Sequence, residues 1–105
     1  MHPEIAEVLK CYRKKLEEMG ISVNRIILYG SRVEGQYDED SDLDIVVVSD
    51  DFKNLDLWER SCILGRARVS IYHAMDIKGV TEDELKNARA GSFMHDEVLQ
   101  KGVAV

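Results

Sequence analysis

The run Asp42-Leu43-Asp44-Ile45-Val46-Val47-Val48 limits what this chain can fold into more than any other stretch. Successive β-branched residues favour an extended strand, and the loss of polar alternation after Asp44 asks for cover on both faces. Such a strand belongs at the centre of a sheet. Its first residues pull the other way. Side chains two apart on a strand share a face, so the carboxylates of Asp42 and Asp44 stand close together. Like charges beside an apolar strand are costly unless a cation neutralises them or water reaches the strand entrance.

The rest of the chain supplies cover for that strand. Ile5, Val8, Leu9, Tyr12, Leu16 and Met19 recur at helical spacing from Pro3 to Met19, with Pro3 suited to a first turn and Gly20 to a stop. Val23 to Tyr29 is rich in strand formers and ends at Gly30-Ser31. Ser49-Asp50-Asp51 offers a cap for a helix from Phe52 to Ala67, with Leu55, Trp58 and Cys62 on one stripe and Trp58 read as core or partner-facing. A third strand is expected over Ser70 to Ile77, holding His73 as an ordinary core or surface histidine. Thr81 and Glu84 form a capping box that opens another helix. The tail from Glu97 reads as a helix end followed by a short edge strand at Val103-Ala104-Val105. The order is α-β-(α)-β-α-β-α: an α/β or α+β fold, a small sheet covered by helices, in one domain over residues 1–105.

Size and charge narrow the function. A domain of 105 residues buries about 60–65% of its unfolded surface, enough for one core but not for a deep cavity as well. Its chemistry is expected in an open groove. A net charge of −6 argues against non-specific nucleic-acid binding, which needs a basic surface. No apolar run is long enough to span a membrane, and the first residues lack the pattern of a signal peptide. Cys11 and Cys62 have no metal-binding or disulfide spacing, as expected for reduced thiols in the cytoplasm. His2 and His95 also lack ligand spacing.

Three features carry chemistry together. Gly30-Ser31 follows a strand. Glycine there lets the backbone approach an anion closely, while Ser31 and Arg32 add a hydroxyl and a positive charge. Asp42 and Asp44 form an oxygen-only pair suited to Mg²⁺ or Mn²⁺. Asp76, in an otherwise apolar third strand, could complete a three-carboxylate site if that strand lies beside the first pair. Each feature alone is most often a turn or a solvated strand end.

Their combined spacing is more specific. Gly30-Ser31, ten intervening residues, then Asp42-Leu43-Asp44 resembles the signature of the DNA polymerase β-type nucleotidyltransferase superfamily, and within it the small stand-alone minimal nucleotidyltransferases. The resemblance spans residues 24–86 and implies a polymerase β-like fold with a small mixed sheet. It implies two Mg²⁺ ions, replaceable by Mn²⁺, held by Asp42, Asp44 and Asp76, with Asp76 helping to deprotonate the acceptor. Gly30, Ser31 and Arg32 would hold the phosphates of a nucleoside triphosphate, ATP above all. It further implies AMP transfer to a hydroxyl, with a tyrosine of a HEPN-type toxin as the acceptor and this chain as the antitoxin. Glu34 departs from the pattern, since many relatives are basic there, and Asp38-Glu39-Asp40 is acidic as well. Arg25, Arg60 or Arg66 could compensate, and Tyr37 either stacks on a base or simply caps the loop. An alternative that Glu34 and this loop motivate is a catalytically weak or inactive module that binds its partner by contact alone.

Overall fold

The computed structural model describes residues 3–30 and 42–105. Helix α1 (Pro3–Glu18) leads into strand β1 (Arg25–Tyr29), and strand β2 (Leu43–Val48) follows. A 3₁₀ turn (Asp50–Phe52) and helix α2 (Leu57–Ala67) cross over to strand β3 (Met75–Val80). Helix α3 (Glu82–Lys86), a π-helical segment (Met94–Leu99) and strand β4 (Val103–Ala104) complete the order. The sheet runs β3-β2-β1-β4, antiparallel except for β2 and β3, which lie parallel. A parallel pair needs a crossover connection, and the segment carrying α2 provides it.

The expectation for β2 holds. Leu43 and Ile45 through Val48 are buried in the middle of the sheet. One face, carrying Ile26, Leu28, Leu43, Ile45 and Val47, packs on Ile5, Leu9, Tyr12 and Leu16 of α1 and on Leu64 and Ala67 of α2. The other, carrying Ile27, Tyr29, Val46, Val48 and Val80, packs on Leu85, Val98 and Met94. The Tyr12 hydroxyl donates to the Leu64 carbonyl at 2.7 Å, joining α1 to α2. Among the described residues, no helix is long and apolar enough to cross a membrane. Cys11 and Cys62 are both free and exposed.

Two elements differ from the sequence reading. The helix expected over Phe52–Ala67 is broken. Ser49 caps only the 3₁₀ turn, and α2 starts afresh at Asp56, whose carboxylate accepts from Glu59 N while Glu59 reaches back to Asp56 N. A second capping box inside the expected helix marks the restart. This turns the helix so that Arg60, Leu64 and Ala67 face inward, while Trp58 is 76% exposed and Cys62 is also on the surface. The third strand starts later than expected, at Met75, and runs through Lys78 and Gly79. Gly79 is required there: a Cβ would stand 2.9 Å from the Phe52 ring.

Arg60 explains how a charged residue replaces an apolar one in the helix stripe. Its side chain is 8% exposed. It donates to the carbonyls of Leu55, Gly79 and Phe52 at 3.0, 3.1 and 2.8 Å. A two-pronged pair with Glu84, at 2.6 and 3.1 Å, completes its bonding. Glu84 is at the same time the reciprocal glutamate of the α3 capping box, accepting from Thr81 N at 2.8 Å. One guanidinium thus fastens the 3₁₀ turn, α2, β3 and α3 together. Along the outer edge of β3, the Gly79 carbonyl is taken by Arg60, and the Met75 carbonyl by Arg68 at 3.3 Å.

Arg60→Met should strand three carbonyls and destabilise the fold by about 2–3 kcal/mol, read as a lower urea midpoint at unchanged slope. The pH dependence has a definite sign. The hydrogen bond from Arg60 holds the Glu84 carboxyl below the ordinary glutamate range, against a smaller opposing effect of burial. Its contribution is therefore complete above the unfolded glutamate pKa and is lost as pH falls through the folded value. Acid melts of the wild type should fall more steeply in that window than those of Glu84→Gln.

Candidate functional site

On the sheet face covered by α3 and the π-helical segment, the strand registers set up successive rows. Arg25, Val48 and Val80 form one, Ile27, Val46 and Lys78 the next, and Tyr29, Asp44 and Asp76 the third. Along β2 and β3 the paired valines of the first row give way to two carboxylates in the third. Asp44 and Asp76 are direct partners across a parallel pair, so their side chains leave the sheet on the same side. Asp44 is partly buried and Asp76 exposed. Asp42 lies one residue before β2 and is exposed. Among the described residues, no three His, Cys, Asp or Glu side chains are gathered into one cluster that could hold a metal. What is present is a pair, Asp44 with Asp76, and a third carboxylate at the mouth of β2.

Gly30 fits tightly against that pair. It ends β1 with φ +80°, and a Cβ built on it would stand 2.6 Å from Asp44 Oδ2. Backbone and carboxylate therefore approach more closely than any side chain at residue 30 would permit. Ser31 and Arg32, expected to bind phosphate, lie outside the described residues, as do Glu34, Tyr37, the acidic run 38–40 and His2.

Sequence reasoning passed over Lys78. Its ammonium donates to Asp76 Oδ2 at 3.3 Å and to the Tyr29 hydroxyl at 3.1 Å. It also lies 5.7 Å from the centre of the Tyr29 ring and 5.4 Å from that of Phe93, and the two rings meet edge to face. Burial lowers the pKa of this amine, but the bonds to Tyr29 and Asp76 outweigh that and leave it raised. The pattern Asp76-x-Lys78, two apart on one strand face, was the available signal.

The arginines considered as substitutes for a basic loop are elsewhere. Arg60 is the buried brace described above. Arg25 pairs with Glu82 at 3.0 Å, at the opposite end of β1 from Gly30. Arg66 is exposed near the end of α2. His73 precedes β3, with Nδ1 3.1 Å from the Ala74 carbonyl, while His95 is paired to Asp96 at 2.7 Å.

The donor set of Asp42, Asp44 and Asp76 is all oxygen, which suits a hard divalent cation and not zinc or copper. The side-by-side register of Asp44 and Asp76 fits a shared ion, since a divalent cation between two carboxylates so placed would relieve their mutual repulsion.

A family model described as a nucleotidyltransferase domain matches residues 9–103. Over 46 residues the chain is 37% identical to a proposed protein adenylyltransferase of Methanocaldococcus jannaschii. That match covers 43% of this chain and 46% of the relative, so it spans less than half of the relative's length. The crystal structure of a proposed nucleotidyltransferase from Sulfolobus solfataricus is similar over 94% of this chain and 79% of that one, with a TM-score of 0.59 at 21% identity. At that identity the likeness speaks for the fold alone.

Gly30→Ala should cost more than a left-handed backbone alone, about 1–2 kcal/mol, because its methyl displaces the Asp44 carboxylate. Gly91→Ala is the control: φ is +90° and nothing lies within 4 Å of the added carbon. Thermal melts should rank wild type above Gly91→Ala above Gly30→Ala.

Proposed function

Because this chain belongs to the nucleotidyltransferase domain family, of the polymerase β-like superfamily, we propose that it transfers AMP from ATP to a protein hydroxyl. The observation that carries this reading is the register match of Asp44 with Asp76 beside the side-chain-free turn at Gly30. The fold is that of a nucleotidyltransferase, and the family membership makes the chain an enzyme of that kind. Nucleotide, acceptor and residue roles are the proposal.

Asp42 and Asp44 would hold one Mg²⁺ and, with Asp76, a second, Mn²⁺ being able to substitute. Such ions neutralise the triphosphate and make the acceptor hydroxyl easier to deprotonate. Gly30 leaves backbone room for phosphate oxygens, and Ser31 and Arg32 would follow it with a hydroxyl and a charge. The acceptor oxygen forms a bond to the α-phosphorus, and the bond from that phosphorus to the α–β bridging oxygen breaks. Pyrophosphate leaves with that electron pair. The acceptor proton passes to the Asp76 carboxylate, whose exposure lets it return the proton to water.

A protein acceptor is supported by the M. jannaschii relative, which is named a protein adenylyltransferase. It also agrees with the exposure of Asp42 and Asp76. A tyrosine of a HEPN-type toxin is the acceptor we favour, with AMP addition as the antitoxin act and the cytoplasm as its place.

The test is purified protein incubated with Mg²⁺, ATP and the candidate toxin, with the adduct read by intact mass. Wild type should add AMP to a tyrosine of the partner. Asp44→Asn and Asp76→Asn should each reduce the rate by more than about 100-fold, the scale on which removal of one charge-stabilising group acts, while circular dichroism stays unchanged. Equal modification by Asp44→Asn would overturn the reading.

A further inference from the structure

Lys78 has no part in the transfer itself, yet on the carboxylate face its ammonium has two hydrogen-bond acceptors and two aromatic rings around it. Two strands and the segment before the π-helical turn converge on its ammonium: β3 carries it together with Asp76, Asp76 and Tyr29 of β1 accept from it, and Phe93 closes one side. An ammonium ion over two aromatic rings is attracted by their electron-rich faces. The phenol oxygen adds a dipole pointing the same way. This niche holds the cation whether or not Asp76 shares in the bonding.

We propose that Lys78 is a resident cation of the site, a positioning residue that occupies Asp76 and competes with the divalent ion for it. The inference rests on the reading that Asp44 and Asp76 bind metal. With no divalent ion bound, the ammonium offsets the repulsion between two carboxylates that the sheet register forces together. A metal ion drawing on Asp76 displaces the 3.3 Å contact. The flexible lysine stem then lets the ammonium withdraw onto Tyr29 and Phe93. The cost of that exchange, together with the repulsion between ammonium and metal, sets how tightly the site loads. The arrangement keeps the face from binding a divalent ion strongly on its own and leaves loading dependent on the added negative charge of a triphosphate.

The experiment is Mn²⁺ titration of the nucleotide-free protein, followed by the electron paramagnetic resonance of free Mn²⁺. Lys78→Met keeps the length of the side chain and removes its charge, and should bind Mn²⁺ about tenfold more tightly. Lys78→Arg retains the charge and should stay within about twofold of wild type. Tyr29→Phe loses the anchoring hydroxyl but keeps the ring, and should depart from wild type because the ammonium then relies more on Asp76. Lys10→Met, on α1 and the opposite sheet face, makes the same change in net charge and should leave the affinity as it was. A merely structural role for Lys78 predicts weaker Mn²⁺ binding in Lys78→Met through disorder of Asp76, so unchanged or weaker binding overturns the proposal. If wild type and Lys78→Met both fail to bind Mn²⁺, the metal assignment of Asp44 and Asp76 falls, and the proposal with it. If wild type binds and Lys78→Met matches it, the lysine proposal fails alone.

Discussion

Two carboxylates set opposite each other on hydrogen-bonded strands are tolerable only where the sheet runs out of cover. The parallel register of β2 and β3 creates this situation, because matching Val48 with Val80 in the core necessarily matches Asp44 with Asp76 at the other end. Everything distinctive about the chain follows from that pairing. The buried valines fix the register, since a slip of one residue would turn every apolar side chain of β2 to the wrong face. The acidic pair is carried along by the same constraint. Fold stability and the geometry of the candidate site are thus two ends of one strand pairing.

That register needs β3 held in place from outside, because among the described residues β3 has a neighbouring strand on one side only. The buried guanidinium of Arg60 provides the hold, bonding to the strand, the crossover and the following helix at once. A hydrophobic residue in its place would fill the volume but could not answer the carbonyls of Phe52, Leu55 and Gly79. Buried charge is expensive when isolated. Here five donated hydrogen bonds and a carboxylate partner offset the expense.

Much of this was legible in the residues, and the failures have physical causes. The central strand, the first helix, the Thr81–Glu84 cap and the terminal strand were all readable, because each rests on local pattern or local hydrogen bonding. The inward face of α2 was misread because its core position is an arginine, which no hydrophobic pattern can flag. Of the stripe read there, Leu55 is half-buried and Cys62 lies on the surface, while Trp58 is exposed, as its partner-facing reading allowed. The end of β3 was placed too early because Lys78 and Gly79 are poor strand formers, held there by the contacts of Lys78 with Asp76 and Tyr29 and by the closeness of Gly79 to the Phe52 ring. At the site, the pairing of Asp44 with Asp76 was foreseen in outline. Lys78 was not, since its meaning depends on Tyr29 and Phe93, which are distant in sequence.

The outer margin of β3 has one more bearing on how the molecule behaves in a crowded solution. Sheet margins invite foreign strands, which is how many proteins begin to stack into insoluble fibres. Two carbonyls on this margin are already engaged by Arg68 and Arg60, and the bulky cationic side chains that engage them stand in the path of an incoming backbone. The same arginines that steady the strand thus deny strangers a template along its side.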